Sequence, residues 1–203
     1  MILPYPILYR LGFTPWERRP VEEFWGTVLD GPDGLSPGRA LDIGCGSGRD
    51  SVHLARRGWR VTAVDFVDSA LDSARRRAAE ANVEVNWIQA DVAELGRLGL
   101  EPGYDLIVDF GCIHGLSDDD RAKALGALAG LAGPGATALI LAFARGRRLV
   151  LPRGMDQEEL TRVLGESFEL EQAQPVIELQ PDLPLPVRRA RPTLYRLRAT
   201  PSR

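Results

Sequence analysis

An α/β fold, with a mostly parallel sheet covered by helices on both faces, is the architecture this sequence predicts. Short apolar runs rich in β-branched residues alternate with helical segments, the order that builds parallel strands. The length, 203 residues at 44% hydrophobic and 26% charged, suits one such domain with a core of its own. No internal repeat or low-complexity linker interrupts it.

The elements follow in order. Tyr5, Tyr9, Phe13 and Trp16 stand among prolines, ahead of a helix expected over Val21–Leu29. The turn cluster Gly31-Pro-Asp-Gly-Leu-Ser-Pro-Gly38 closes this segment, so residues 1–38 are read as an N-terminal helical unit before a main domain at 39–203. Arg39–Ile43 reads as a short buried strand running into a glycine loop. Asp50–Arg57 is helical and ends at Gly58. Arg60–Asp65 is the second strand and Ser69–Ala81 a helix rich in Ala and Arg. Val83–Ala90, Asp105–Phe110 and Thr137–Phe143 give strands three to five, with Asp118–Ala132 helical before the fifth. A helix over Glu158–Leu164 and short strands at Phe168–Glu171 and Leu194–Ala199 complete the set. Ligands of such sheets bind at the carboxyl ends of the strands. Chemistry is therefore expected just after Ile43, Val64, Gln89 and Val108.

Composition narrows the function. With 25 basic against 28 acidic residues the net charge is −3, which argues against nucleic-acid binding. No apolar run nears the ~20 residues of a membrane span. The start, Met1-Ile-Leu-Pro-Tyr-Pro, lacks the basic n-region of a signal peptide. Cys45 and Cys112 are too few for a secreted disulfide framework, and a cytoplasmic location is expected. No metal is expected either. Cys112-x-His114 is too short for usual zinc spacing, and Ser117-Asp-Asp-Asp120 reads as a helix N-cap with first-turn carboxylates.

The most informative stretch is Leu41-Asp-Ile-Gly-Cys-Gly-Ser-Gly-Arg-Asp50. Gly44, Gly46 and Gly48 end a strand and open a helix, so backbone can approach a ligand without Cβ interference. A dinucleotide fingerprint would place its third glycine at 49, where Arg49 stands. Asp42 also puts an anion where a pyrophosphate prefers a bare helix N-terminus. A cationic ammonium or sulfonium suits it better.

Residues 38–145 resemble the class I S-adenosylmethionine-dependent methyltransferases. Asp42, Gly44, Gly46 and Gly48 match the family's first motif, an acid followed by G-x-G-x-G. The resemblance implies that Asp65, ending Val-Thr-Ala-Val-Asp, accepts the ribose hydroxyls. It gives Asp91, in Gln-Ala-Asp-Val, to the adenine amino group and the Val92 backbone N–H to a ring nitrogen. The segment Tyr104-Asp-Leu-Ile-Val-Asp-Phe-Gly-Cys-Ile-His-Gly115 would flank the reacting methyl. The motifs come in order, with 17 residues from Gly48 to Asp65 and 26 more to Asp91. Thr14-Pro-Trp-Glu17, together with Gly-Cys-Ile-His, is similar to small enzymes of the thiopurine and tellurite-resistance methyltransferase group. In that group an N-terminal segment folds over the cofactor as a lid.

The fold is then expected to be a Rossmann-like seven-stranded sheet, parallel except for a reversed last strand, under a helical lid. The implied cofactor is S-adenosylmethionine, leaving S-adenosylhomocysteine after a methyl moves to oxygen, nitrogen or sulfur of a small molecule. A non-catalytic S-adenosylmethionine-binding module would share every cofactor motif. A nicotinamide oxidoreductase is opposed by the displaced glycine.

Individual residues carry two readings each. Asp91 can meet adenine or cap the following helix, and Asp42 can orient the glycine loop as well as face the ligand. Phe66 can cover adenine or fill core, and Trp16 can close the lid or clasp the N-terminus. Asp109 and Phe110, ending strand four, can contact cofactor or substrate; Asp109 can equally be buried with a partner. In the strand order that the resemblance implies, Cys45 and Cys112 would end adjacent strands and sit near the cofactor. His114 is a candidate general base or a loop histidine bonded to backbone. His53 is expected to face solvent or its neighbours. Arg145, Arg147 and Arg148 can hold a substrate anion or form a solvated cluster.

Overall fold

In the chain Arg39-Ala-Leu-Asp-Ile43 four of five residues are buried, because strands flank both its edges and helices cover both its faces. This is β1, the central strand. The computed structural model describes Tyr9 and residues 21–31, 34–146, 152–176 and 188–200. Within them the order is α1 (Val21–Asp30), β1 (Arg39–Ile43), α2 (Arg49–Arg56), β2 (Arg60–Asp65), α3 (Asp68–Glu80) and β3 (Asn86–Gln89). A 3-10 turn at Val92–Arg97 leads to β4 (Tyr104–Phe110), and a second at Ile113–Gly115 leads to α4 (Asp118–Leu131). The rest are β5 (Ala132–Phe143), α5 (Gln157–Leu164), β6 (Phe168–Pro175) and β7 (Pro192–Ala199).

The seven strands form one sheet in the order β3-β2-β1-β4-β5-β7-β6. Strands β1 to β5 pair in parallel, and β7 runs antiparallel between β5 and β6. The expected seven-stranded, mostly parallel sheet with a reversed last strand is what the chain adopts. The order reverses at β1 and β4, which opens a crevice at their carboxyl ends.

Period-two alternation divides the core. Leu41, Ile43, Val64, Ile107 and Ile140 pack against Leu125 and Leu128 of α4 and Leu160 of α5. Ala40, Val61, Ala63, Leu106 and Val108 pack on the other face against Trp25 of α1 and Leu54 of α2.

Strands β4 and β7 start one and two residues earlier than expected, and three other strands differ for identifiable reasons. Strand β3 starts at Asn86, because Val83 N–H still bonds Ala78 O and Asn82 turns to φ +52, which closes α3 first. Strand β5 starts at Ala132: a register shift between Tyr104 and Leu106 lets the glycine-proline run pair before the apolar stretch begins. Strand β6 continues to Pro175 as an edge strand paired only with β7, where polar residues and proline are tolerated.

Helix α1 is held to α2 by more than apolar contact. Trp25 is fully buried, and its indole N–H donates to Asp50 Oδ1 at 2.7 Å. Its ring stacks on His53 at 6.3 Å, and Asp30 pairs with Arg57. His53, expected to face solvent or its neighbours, is buried against neighbours under that roof, with Nδ1 3.2 Å from a Glu22 carboxylate oxygen. The reason is tertiary: α1 covers the face of α2 that would otherwise be wet. Trp25→Phe keeps most of the packing and removes the indole donor. It should lower unfolding free energy by about 1–3 kcal/mol, read from urea denaturation. A change below about 0.5 kcal/mol would mean that the bond to Asp50 adds nothing beyond packing.

Candidate functional site

The loop after β1 is built from backbone. Gly44, Gly46 and Gly48 have φ values of +66, +54 and +72, a region that residues with a Cβ rarely enter. Gly44 N–H and Cys45 N–H both donate to Val64 O, at 2.8 and 3.1 Å, lacing the loop to the end of β2. A Cβ on Gly44 would lie 2.4 Å from Cys112 Cβ, and one on Gly48 would lie 2.5 Å from the Trp87 ring. The glycines are thus fixed by neighbours as well as by conformation.

Two buried carboxylates hold this loop. Asp42, 3% exposed at the end of β1, accepts the Ser51 hydroxyl of α2 at 2.5 Å. Asp65 closes β2, where one oxygen accepts Gly46 N–H and the other Val67 N–H, each at 2.8 Å. On α3, Arg77 Nε donates to Ser47 O at 3.1 Å and steadies the loop from outside. Beside Asp65, Phe66 is 47% exposed, the one large apolar side chain so open among the described residues. Asp91 ends the next loop and accepts Ala93 N–H at 2.9 Å as the N-cap of the 92–97 turn; the Val92 side chain is buried.

At the end of β4 the sequence Asp109-Phe-Gly-Cys-Ile-His114 folds back on itself. Asp109 is fully buried and accepts Cys112 N–H at 2.8 Å and Ile113 N–H at 3.2 Å. Burial outweighs these backbone donors and pushes its carboxyl up to about 7. Phe110 packs edge-on against Phe24 of α1 at 5.1 Å. Cys45 and Cys112 carry free thiols, pushed up by burial and, for both, by nearby carboxylates. Protonated thiols so placed are poor nucleophiles.

His114 is 2% exposed. Its Nδ1 accepts Phe143 N–H at 3.0 Å, and its ring lies 4.7 Å from the Phe143 ring. That bond sets the tautomer: Nδ1 bears the lone pair already engaged, and Nε2 bears the proton. A base role at Nδ1 would require this bond to break.

The acids after β1, β2 and β3, the glycine loop and the β4 turn therefore meet along the carboxyl edge of the sheet. Trp16, Arg147 and Arg148 lie outside the described residues. Arg145 is engaged by Asp118 and by Glu159, each at 3.6 Å. Sequence reading missed Arg121 and Glu159, a buried ion pair at 2.7 Å beneath the His114 turn. A signal existed, for Arg121 precedes Ala124, Leu125 and Leu128 at helical spacing and so falls on the buried stripe of α4. Among the described residues no cluster of His, Cys, Asp and Glu has metal-holding geometry, and no helix is long and apolar enough to cross a membrane.

These residues suit a ligand that carries a positive charge and a flat ring. Carboxylates stand at 42 and 65, an open aromatic ring adjoins the second, and a bare backbone loop faces both. A diphosphate would meet two buried anions instead.

A methyltransferase domain family matches residues 40–135. An uncharacterised methyltransferase of Mycobacterium tuberculosis is 36% identical over 121 residues, 59% of this chain and 57% of that protein. The chain thus spans little more than half of that relative. The structure of 1,6-didemethyltoxoflavin-N1-methyltransferase from Burkholderia thailandensis, with its substrate and S-adenosylhomocysteine bound, superposes at a TM-score of 0.75. It is 25% identical, covering 98% of this chain and 86% of its own. A TehB-like methyltransferase from Corynebacterium glutamicum shares the fold at a TM-score of 0.64 and 22% identity, covering 98% and 94%. Residues 40–135 thus match a methyltransferase domain, and the glycine loop laced to an acid at the end of β2 is similar to that of the class I S-adenosylmethionine-dependent methyltransferases.

Proposed function

We propose that the chain transfers a methyl group from S-adenosylmethionine to oxygen, nitrogen or sulfur of a small molecule. The observation that carries the reading is Asp65, whose two oxygens take Gly46 N–H and Val67 N–H where the glycine loop meets β2. Held in that way at the end of β2, its carboxylate is an acceptor suited to a pair of vicinal hydroxyls. Phe66 offers the ring on which adenine stacks, with Asp91 and the Val92 backbone at the purine edge. Asp42, tied to Ser51, adds negative charge beneath the loop, and the end of β4 with Asp109 and Phe110 borders the methionine side. The lid expected over residues 1–38 falls mostly outside the described residues, Trp16 among them.

When bound, S-adenosylmethionine supplies a methyl group already activated on its sulfonium. The chain's task is to hold the acceptor within about 3–3.5 Å in line and to keep water out. His114 contributes the protonated Nε2 edge rather than a proton-accepting nitrogen. Acceptors that ionise near neutrality, such as thiols and acidic phenols, are favoured on that ground.

Calorimetric titration with S-adenosylmethionine, S-adenosylhomocysteine and NADH in parallel tests the reading. Micromolar binding of the first two alone is the expected result; binding of NADH alone would overturn it. Turnover against a panel of thiols, phenols and amines then separates an enzyme from a binding module. Phe66→Ala should weaken S-adenosylhomocysteine binding by about tenfold, the loss of one aromatic stacking contact.

A further inference from the structure

We infer that Arg121, anchored by Glu159, is a positioning residue that fixes the turn carrying His114. Arg121 is 1% exposed on α4, and each part of its guanidinium is committed. Nε donates to Ile113 O at 3.3 Å, Nη2 to His114 O and to Leu116 O at 3.1 Å each, and Nη1 to Glu159 Oε1 at 2.7 Å. Ile113 O also accepts Leu116 N–H at 3.1 Å, and the planar fork of one arginine ties that carbonyl together with His114 O and Leu116 O.

Stability alone does not explain the pair. Removing a guanidinium and a carboxylate from water is unfavourable, and apolar side chains of similar volume would commonly do as well or better. What apolar side chains cannot supply is a set of donors aimed at the carbonyls of Ile113, His114 and Leu116. The same network reaches the other side of the histidine. Glu159 Oε2 lies 3.6 Å from Arg145, two residues beyond Phe143, whose N–H holds His114 Nδ1. Backbone and ring of His114 are thus fixed by one connected set of contacts through α4, α5 and the end of β5. The charged groups around it are Asp118 at 3.9 Å from Arg121, and Arg145 and Arg153, which both face Asp118.

The role rests on the functional reading only in that His114 borders the transfer site, and the test does not need an acceptor. The chain has two histidines in different surroundings: His53 Nδ1 faces the Glu22 carboxylate, whereas His114 Nδ1 accepts a backbone N–H. Nitrogen-15 spectra of histidine-labelled protein therefore report His114 separately, with a His114→Gln variant assigning its signals. In the Arg121→Met, Glu159→Leu double variant no unpaired charge is left, and cooperative unfolding should persist. Its His114 preference for the Nε2–H tautomer should fall by about tenfold, the weight of one backbone hydrogen bond. Arg121→Lys keeps the charge but not the fork, and should shift the tautomer balance in the same direction. Should the double variant fail to fold, this second variant decides the matter alone. A wild-type His114 spectrum in whichever folded variant is read would overturn the positioning role. Binding of S-adenosylhomocysteine is measured on the same samples. Its absence in the unaltered protein overturns the proposed function, and the spectrum still decides the role of Arg121.

Discussion

Gly44→Ala should reduce S-adenosylmethionine affinity about a hundredfold and destabilise the fold by about 2–5 kcal/mol. Two separate penalties combine. The backbone sits at φ +66, where a Cβ costs about 1–2 kcal/mol. The new methyl would also lie 2.4 Å from Cys112 Cβ and 2.7 Å from its sulfur, so either β4's turn or the glycine loop must move. Overpacking of that kind costs about 1–3 kcal/mol. Moving the loop disturbs Gly44 N–H and Cys45 N–H on Val64 O and the Gly46 N–H bond to Asp65, the contacts that hold the proposed ribose site. Calorimetric titration and urea denaturation read both effects. Adding Cys112→Gly should restore the steric share but not the conformational one, giving a coupling of about 1–3 kcal/mol in the double-mutant cycle. Zero coupling would show that Gly44 and Cys112 do not meet.

That close approach also shows what the sequence can and cannot disclose. The glycine loop is legible because each requirement is local: a buried five-residue strand, a left-handed turn, then a helix opening at Arg49. The mostly parallel sheet follows from the alternation of short apolar runs and helices, whereas the reversed β7 was implied by the family resemblance alone. Partners distant in sequence are different. Nothing near Asp65 announces that its carboxylate holds Gly46, 19 residues earlier, and nothing near His114 announces the Phe143 N–H that fixes its tautomer. His53 reads as a surface helix position until α1 is laid over it. The early start of β5 was hidden because its Gly-Pro-Gly run looks like a turn, and only the bulge opposite Tyr104 makes it strand. Arg121 was readable in principle, as a charge on an apolar stripe, but its three carbonyl acceptors were not.

Asp109 gives the second large effect, and its sign is opposite to that of most carboxylates. Fully buried at the end of β4, its carboxyl is raised from 3.8 to about 7, with desolvation the main cause and the backbone N–H groups of Cys112, Ile113 and Gly111 opposing it. Between those two values the folded chain binds a proton that the unfolded chain has released. Stability from this group is therefore complete below about pH 4 and is lost as pH rises through about 7. The full difference is about 4 kcal/mol, from roughly three pKa units at 1.36 kcal/mol each. Salt-bridged carboxylates such as Glu171, lowered by Arg198 and Arg196, shift stability the other way, so the whole-protein profile mixes both. Asp109→Asn isolates the term. An amide keeps the shape and an acceptor for Cys112 N–H, cannot ionise, and removes this slope alone. Urea denaturation at pH 4, 5.5, 7 and 8 should show wild type minus variant falling steadily to pH 7 and then levelling. A difference that is flat across that range would mean Asp109 ionises like an ordinary exposed carboxylate, and the buried turn carrying His114 would have to be more open than its geometry shows.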